Sequence, residues 1–215
     1  MNYIEEIRAG LKETFDQRIK EIDAETFISP SGNFRLEANE LYDQKYAITR
    51  AQIYQQSTNE KIFDFLVNED RILYSWLKKN NTEYMVCAED LFGGQTVIDL
   101  TNKKMASYSP KTEGYIWTNF HLSPNGKILA TMGCIWAGPF SMKIFDFTNP
   151  MTLPLPEIKE IALIGNDEEI IRWIDNDTLQ MKGFQREYEY EYDDKGRMSV
   201  KSVKETPTER IVSIR

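Results

Sequence analysis

One histidine, two cysteines and 34 acidic side chains are the groups in this 215-residue chain that could carry chemistry. Any Ser-His-Asp or Cys-His mechanism has to use His121, because no other imidazole is present to act as a base near neutral pH. Cys134 lies in the same segment, WTNFHLSPNGKILATMGCIW, so a Cys134–His121 pair is one reading of it. A carboxylate pair acting as general acid and base is another hydrolytic reading, although spacing alone does not select the pair. Asp175-Asn176-Asp177 opens like a calcium loop, but Leu179 and Gln180 stand where a further ligand and the sharp-turn glycine belong. A tight turn is expected there instead. The cysteines lack CxxC spacing, there is no P-loop, and Gly93-Gly94 reads as a turn. Neither a metal nor a cofactor is expected.

Two stretches suit binding better than catalysis. In CIWAGPF, Trp136 and Phe140 flank an Ala-Gly-Pro turn that needs no aromatic residue to form. They are read either as a loop folded over the core or as an exposed anchor for a partner. In REYEYEYDDKG, the period of two puts Glu187, Glu189 and Glu191 on one strand face and Tyr188, Tyr190 and Tyr192 on the other. A turn at Asp193–Gly196 then returns a strand whose Lys201 and Lys204 can meet those glutamates. The ladder is either a solvated hairpin face or an acidic surface for a basic partner.

The net charge is −8, which excludes bulk attraction to nucleic acid or anionic membrane and leaves a protein partner, a basic one by preference. No run reaches the ~18 apolar residues of a membrane-spanning helix. MNYIEEIRAGLKETF carries acids where a secretory signal has a basic end and an apolar centre, so a cytoplasmic protein is expected. Two cysteines without a disulfide pattern fit a reducing compartment.

The elements that must position these groups follow from periodicity. Ile4, Ile7, Leu11, Phe15, Ile19 and Ile22 draw one stripe down a helix over 3–22, with Asn2 and Glu5 as a capping box. Its apolar stripe docks on the body, or the helix covers an open sheet edge or meets a partner. From Glu25 onward short β-rich runs alternate with turns: SPSG at 29–32, KKNN at 78–81, SPNG at 123–126 and DND at 175–177. An offset of 47 residues lays KIFDFTN (143–149) on TVIDLTN (96–102), Asp146 on Asp99 and Cys134 on Cys87. Cys87 has no matching histidine, which favours structural roles for both Cys134 and His121. Repeats of ~40–50 residues made of about four strands are the signature of a β-propeller.

HLSPNGKILAT at 121–131 resembles the Ser-Pro-Asp-Gly-Lys-x-Leu-Ala hairpin of WD-repeat-like, TolB-type propellers, with Asn125 in the aspartate position. SPSGNFRLEA at 29–38 is a looser copy, and KIFDFTN resembles the blade strand that ends in aspartate and a turn. The resemblance implies an all-β fold, a small or partial propeller-like array of about four antiparallel blades. Its units are 25–68, 69–110, 111–158 and 159–215, after an N-terminal helix region at 1–24. ERIVSIR at the end is expected to close the ring against the first unit.

The functional expectation is a non-catalytic protein-binding module, in its narrower form a bacterial immunity-type protein that neutralises a partner. The alternative is a hydrolase using a carboxylate pair or Cys134 with His121. Assembly with a second copy is a third reading.

Overall fold

In the computed structural model the described residues are 2–18, 20–21, 24–43, 46–90, 92–136, 138–164 and 168–214. Helix α1 (Ile4–Arg18) begins where the stripe begins, with Glu5 and Glu6 in its first turn at the positive end of the helix dipole. Ile4 and Leu11 are buried. Ile19 and Ile22 of the expected stripe lie outside the described residues, and the helix ends before the 22 that the stripe predicts.

The rest is all β. The first sheet holds β1 (Lys20–Glu21), β2 (Glu25–Ile28), β3 (Phe34–Asp43), β4 (Tyr46–Gln55) and β5 (Glu60–Val67). β1 and β2 both pair with β3, which is followed by β4 and β5. The second sheet is the meander β6 (Tyr74–Lys79), β7 (Thr82–Cys87), β8 (Gln95–Asp99), β9 (Lys104–Tyr108). The third repeats it with β10 (Tyr115–Leu122), β11 (Ile128–Ile135), β12 (Ser141–Asp146) and β13 (Glu157–Ala162). The fourth has β14 (Glu169–Trp173), β15 (Thr178–Tyr192) and β16 (Met198–Ser213), one strand fewer than the repeat predicts.

The sheets bury one another. Leu36, Ile53 and Phe65 of the first meet Met85, Cys87 and Ile98 of the second. The other face of the second sheet, with Val86 and Val97, meets Trp117, Leu129, Phe145 and Phe147 of the third. Ala130, Met142 and Ile144, on the far face of the third, meet Leu179, Met181 and Val212 of the fourth. Phe145 and Phe147 thus face one way and Ile144 the other, as strand alternation requires. Each fully buried side chain of this kind contributes ~1.5–3 kcal/mol.

Among the described residues no apolar cluster joins the first sheet to the last. The array is a row of four blades with two free ends. The described part of ERIVSIR, residues 209–214, does not close a ring. Glu209–Ser213 pair with β15, and Val212 and Ile214 pack against the third sheet, because the apolar alternation of this segment matches the third seam.

SPSG and SPNG form the same turn. Gly32 and Gly126 donate to the carbonyls of Ser29 and Ser123 at 2.8 Å, and each serine hydroxyl accepts from the N–H five residues on. Gly126 takes φ 69°, whereas Asn125 keeps a negative φ. Asn125 works through its side chain, accepting from the Lys127 N–H at 3.0 Å. Asp146 accepts from the Thr148 N–H, and Asp99 likewise from Asn102, both at 2.8 Å.

The helix closes edges. Asn2 donates to the Ser107 carbonyl and accepts from the Ser109 N–H, and Tyr3 donates to the Ser109 carbonyl, so residues 2–3 pair with the open side of β9. Glu5 does not complete a capping box with Asn2; its carboxylate pairs with Arg8 at 3.0 Å. Arg8 is the pin. It donates to both oxygens of buried Glu89, at 2.9 and 2.8 Å, and to the Ser107 hydroxyl. Glu89 also receives the hydroxyls of Thr96 and Ser107. Removing one partner of a buried pair strands the other charge. Arg8→Ala is therefore expected to lower stability in urea unfolding by about 3 kcal/mol. Glu5→Ala, which touches only the exposed side of Arg8, should change it by less than about 0.5 kcal/mol.

Candidate functional site

The meander topology sorts the connections between two ends of the array. At one end the β-turns interlock between blades. Asn33 donates to Glu83 at 2.8 Å, Lys79 to the Phe147 and Thr148 carbonyls, and the Asn125 N–H to Asn176 at 3.0 Å. The β7–β8, β11–β12 and β15–β16 connections therefore leave the opposite end. Trp136 and Phe140 lie in the second of these, and the Glu187–Glu191 stretch leads into the third. Both sequence-predicted binding stretches thus project from one end of the array.

Trp136 and Phe140 are not folded over the core; they are 47% and 39% exposed. Trp136 meets Phe92 of the neighbouring blade edge-on, with ring centroids 5.7 Å apart. Phe92 itself is 44% exposed, and Ile135 beside Trp136 is also exposed. Equivalent loops on two blades thus present one aromatic knob. Sequence reasoning missed Phe92, because FGG reads only as a turn. Gly93 has φ 103°, and a Cβ there would lie 2.6 Å from the Gly114 backbone carbon. That close approach lets the Gly114 N–H donate to the Phe92 carbonyl at 2.7 Å, which holds the loop that carries the ring. The available signal was an aromatic residue beside a glycine pair in a loop with no packing need for it.

Beside the knob lies a cleft of about 470 Å³ between the first helical turn and these loops. Tyr3, Ile7, Asp90, Phe92, Pro110 and Lys111 line it, and the Lys111 ammonium sits 5.7 Å over the Tyr3 ring.

β15 and β16 run on past the body as a two-stranded ribbon whose residues from Phe184 to Thr206 are exposed on both faces. Glu189 pairs with Lys201 at 2.6 Å and accepts from the Ser202 hydroxyl at 3.0 Å; Glu187 pairs with Lys204 at 3.4 Å. The hydrogen bond from Lys201, followed by that from Ser202, holds the Glu189 carboxyl below the usual range. Glu191 lies opposite Ser199. The acidic ladder is thus partly neutralised within the ribbon itself, as the cross-strand lysines predict.

The nucleophile pair does not form. His121 lies opposite Ala130 on β11, whereas Cys134 lies opposite Ile116, four residues further along that strand. At 3.3 Å per residue they are about 13 Å apart. The strand register, which the sequence does not display, keeps them apart. Cys87 is wholly buried and burial pushes its thiol well up; burial also raises that of Cys134. Among the carboxylates, that of Glu69 is pushed up, first by burial and then by Asp70 and Asp90. Asp175 caps a tight turn, accepting from the Asp177 N–H at 2.7 Å.

The fold and this end define an all-β, propeller-like repeat protein with an N-terminal helix and aromatic loops at one end. No protein-family model matches the chain. It is 28% identical over 128 residues to an uncharacterised protein, R762, of Acanthamoeba polyphaga mimivirus, a match covering 58% of this chain and 51% of that one. The chain thus spans about half the length of the curated relative it matches. Among solved structures it is similar to a functionally unknown protein from Desulfotomaculum acetoxidans, with a TM-score of 0.40 and 15% identity. That match covers 86% of this chain and 56% of the other. It is also similar to the β-propeller domain of Cps50 (Swd1) from Myceliophthora thermophila, with a TM-score of 0.41 and 10% identity. Here 83% of this chain and 72% of the other are covered. The fold assignment rests on the four sheets and their seams, and among the described residues no helix is long and apolar enough to cross a membrane.

Two outcomes test this chemistry. Burial lowers the His121 pKa, against a smaller opposing effect of Glu169. Protons then bind the unfolded chain first, so stability is full above about pH 6.5 and falls as pH drops through that value. His121→Gln should flatten the pH dependence of the urea midpoint between pH 7 and 6, and the single imidazole should titrate below its ordinary value by NMR. A thiol reagent at pH 7 should label Cys134 slowly and Cys87 only on unfolding. Rapid labelling of Cys134 in the folded protein would restore the nucleophile reading.

Proposed function

We propose that the chain is a non-catalytic protein-binding module on a WD-repeat-like, TolB-type scaffold, working in the cytoplasm. The single observation that carries the reading is the Trp136–Phe92 pair, two large rings from neighbouring blades left half in water at the loop end of the array. A ring pair of this kind costs solvation where it stands and gains it back when a partner covers it, as interface hot spots do. The cleft beside it supplies polar rim groups in Asp90 and Lys111. In its narrower form the reading is an immunity-type protein that neutralises a basic partner, supported by the net charge of −8.

The test is affinity purification from the native cell, comparing the wild-type chain with Trp136→Ala and Phe92→Ala. A specific protein held by the wild type should be lost with each variant, the affinity falling about 30-fold or more, while the thermal midpoint stays unchanged. Retention of the same partner by both variants would sink the reading.

A further inference from the structure

Seven large apolar side chains of the ribbon are exposed: Phe184, Tyr188, Tyr190, Tyr192, Met198, Val200 and Val203. Tyr188 lies opposite Val203, Tyr190 opposite Val200 and Tyr192 opposite Met198, so all six side chains share one face. Tyr192 is 69% exposed and the other five are about half exposed. Phe184, opposite Pro207, extends the same face to the base of the ribbon. Two strands with water on both faces are at best marginally stable, so a ribbon of this length calls for a covering layer.

We propose that the cover is a second copy of this chain, and that the ribbon is a dimerisation arm packed tyrosine face to tyrosine face about a two-fold axis near Tyr188. Four features point to that occupant. An aromatic side chain spans ~150–250 Å², so three half-exposed tyrosines with Phe184, Met198 and two valines offer several hundred Å². That approaches the ~800 Å² per partner of a standard interface. The lengths also match. In an antiparallel pair centred on Tyr188, the tip of one arm at Tyr192 reaches the base of the other at Phe184, each lying four residues from the centre.

The base is shaped to receive it. A cleft of about 530 Å³ lies there, lined by Phe184 and Pro207 together with Lys182 and Glu209. The charges on the tyrosine face cancel, because Arg186 pairs with Glu205 at 2.7 Å, and the glutamate–lysine ladder stays on the far face in water. Edge-to-edge pairing through β16 is the competing geometry. Pro207, Lys201 and Lys204 on that strand are the residues that blunt an edge, so the face is the contact.

The experiment is the solution mass of the full chain by light scattering across micromolar concentrations, with variants on each face. The wild type should run at twice the chain mass. Tyr188→Glu and Tyr190→Lys should weaken the dimer about 30-fold or more, the size of a hot-spot loss. Ser199→Lys, on the far face, should leave the mass unchanged. These positions touch only the ribbon, so the variants should still unfold in one cooperative thermal transition, at a midpoint no higher than that of the wild type. In a Cys134→Ser background, a chain with Tyr192→Cys mixed with one carrying Phe184→Cys should form the mixed disulfide dimer. A monomeric wild type at these concentrations, a dimer indifferent to both tyrosine variants, or no tip-to-base crosslink would each overturn the proposal. Trp136→Ala should leave the mass unchanged, which separates this surface from the loop-end site.

Discussion

Everything in this structure depends on a strand sheet being unable to bury two faces by itself. The second and third blades solve the problem on both sides, and their strands show it. Tyr84–Ala88 is buried throughout, because alternate side chains go to different seams. The end blades solve it on one side only. On β15 Leu179 and Met181 go into the seam, while Gln180 and Lys182 face outward, where Gln180 meets Glu209 and Lys182 pairs with Glu169. Stability is therefore a matter of neighbours, as in other repeat arrays, and it is weakest where neighbours run out.

The two ends of the row handle that shortage differently. At the first two blades the helix covers strand edges, and its hold is polar: Asn2 clips β9 and Arg8 reaches the buried carboxylate of Glu89. A buried pair of this kind fixes position more than it adds energy, because desolvation offsets much of its attraction. The fourth blade has its own version, with Arg210 donating to both oxygens of buried Glu168. Beyond that anchor none of the described residues covers the ribbon. The same chain thus holds one edge closed from within and leaves one face open.

Function was less legible than architecture, and particular residues show why. The turn serines, the aspartates at strand ends and the alternation of KIFDF could all be read in advance, since each acts within a few residues of itself. Trp136 and Phe140 stood out because a turn has no use for them. Phe92 did not, because its meaning comes from Trp136 on another blade. The Cys134–His121 pair looked close only because a hairpin joins the two segments, and strand register then set them about 13 Å apart. The strand expected to close a ring reads correctly as a strand; what local pattern does not reveal is which seam accepts Val212 and Ile214.

The sequence by itself determined the helix stripe, the run of antiparallel strands, the shared Ser-Pro-x-Gly turn and the opposite faces of tyrosine and glutamate on the ribbon. Those are consequences of periodicity and local hydrogen bonding, which act between residues close along the chain. Only the tertiary structure decided that the row stays open, that loops of two blades join their aromatic rings, and that the described residues leave the tyrosine face uncovered. Those outcomes depend on which surfaces meet, and that is set by packing between blades whose residues are far apart in the chain.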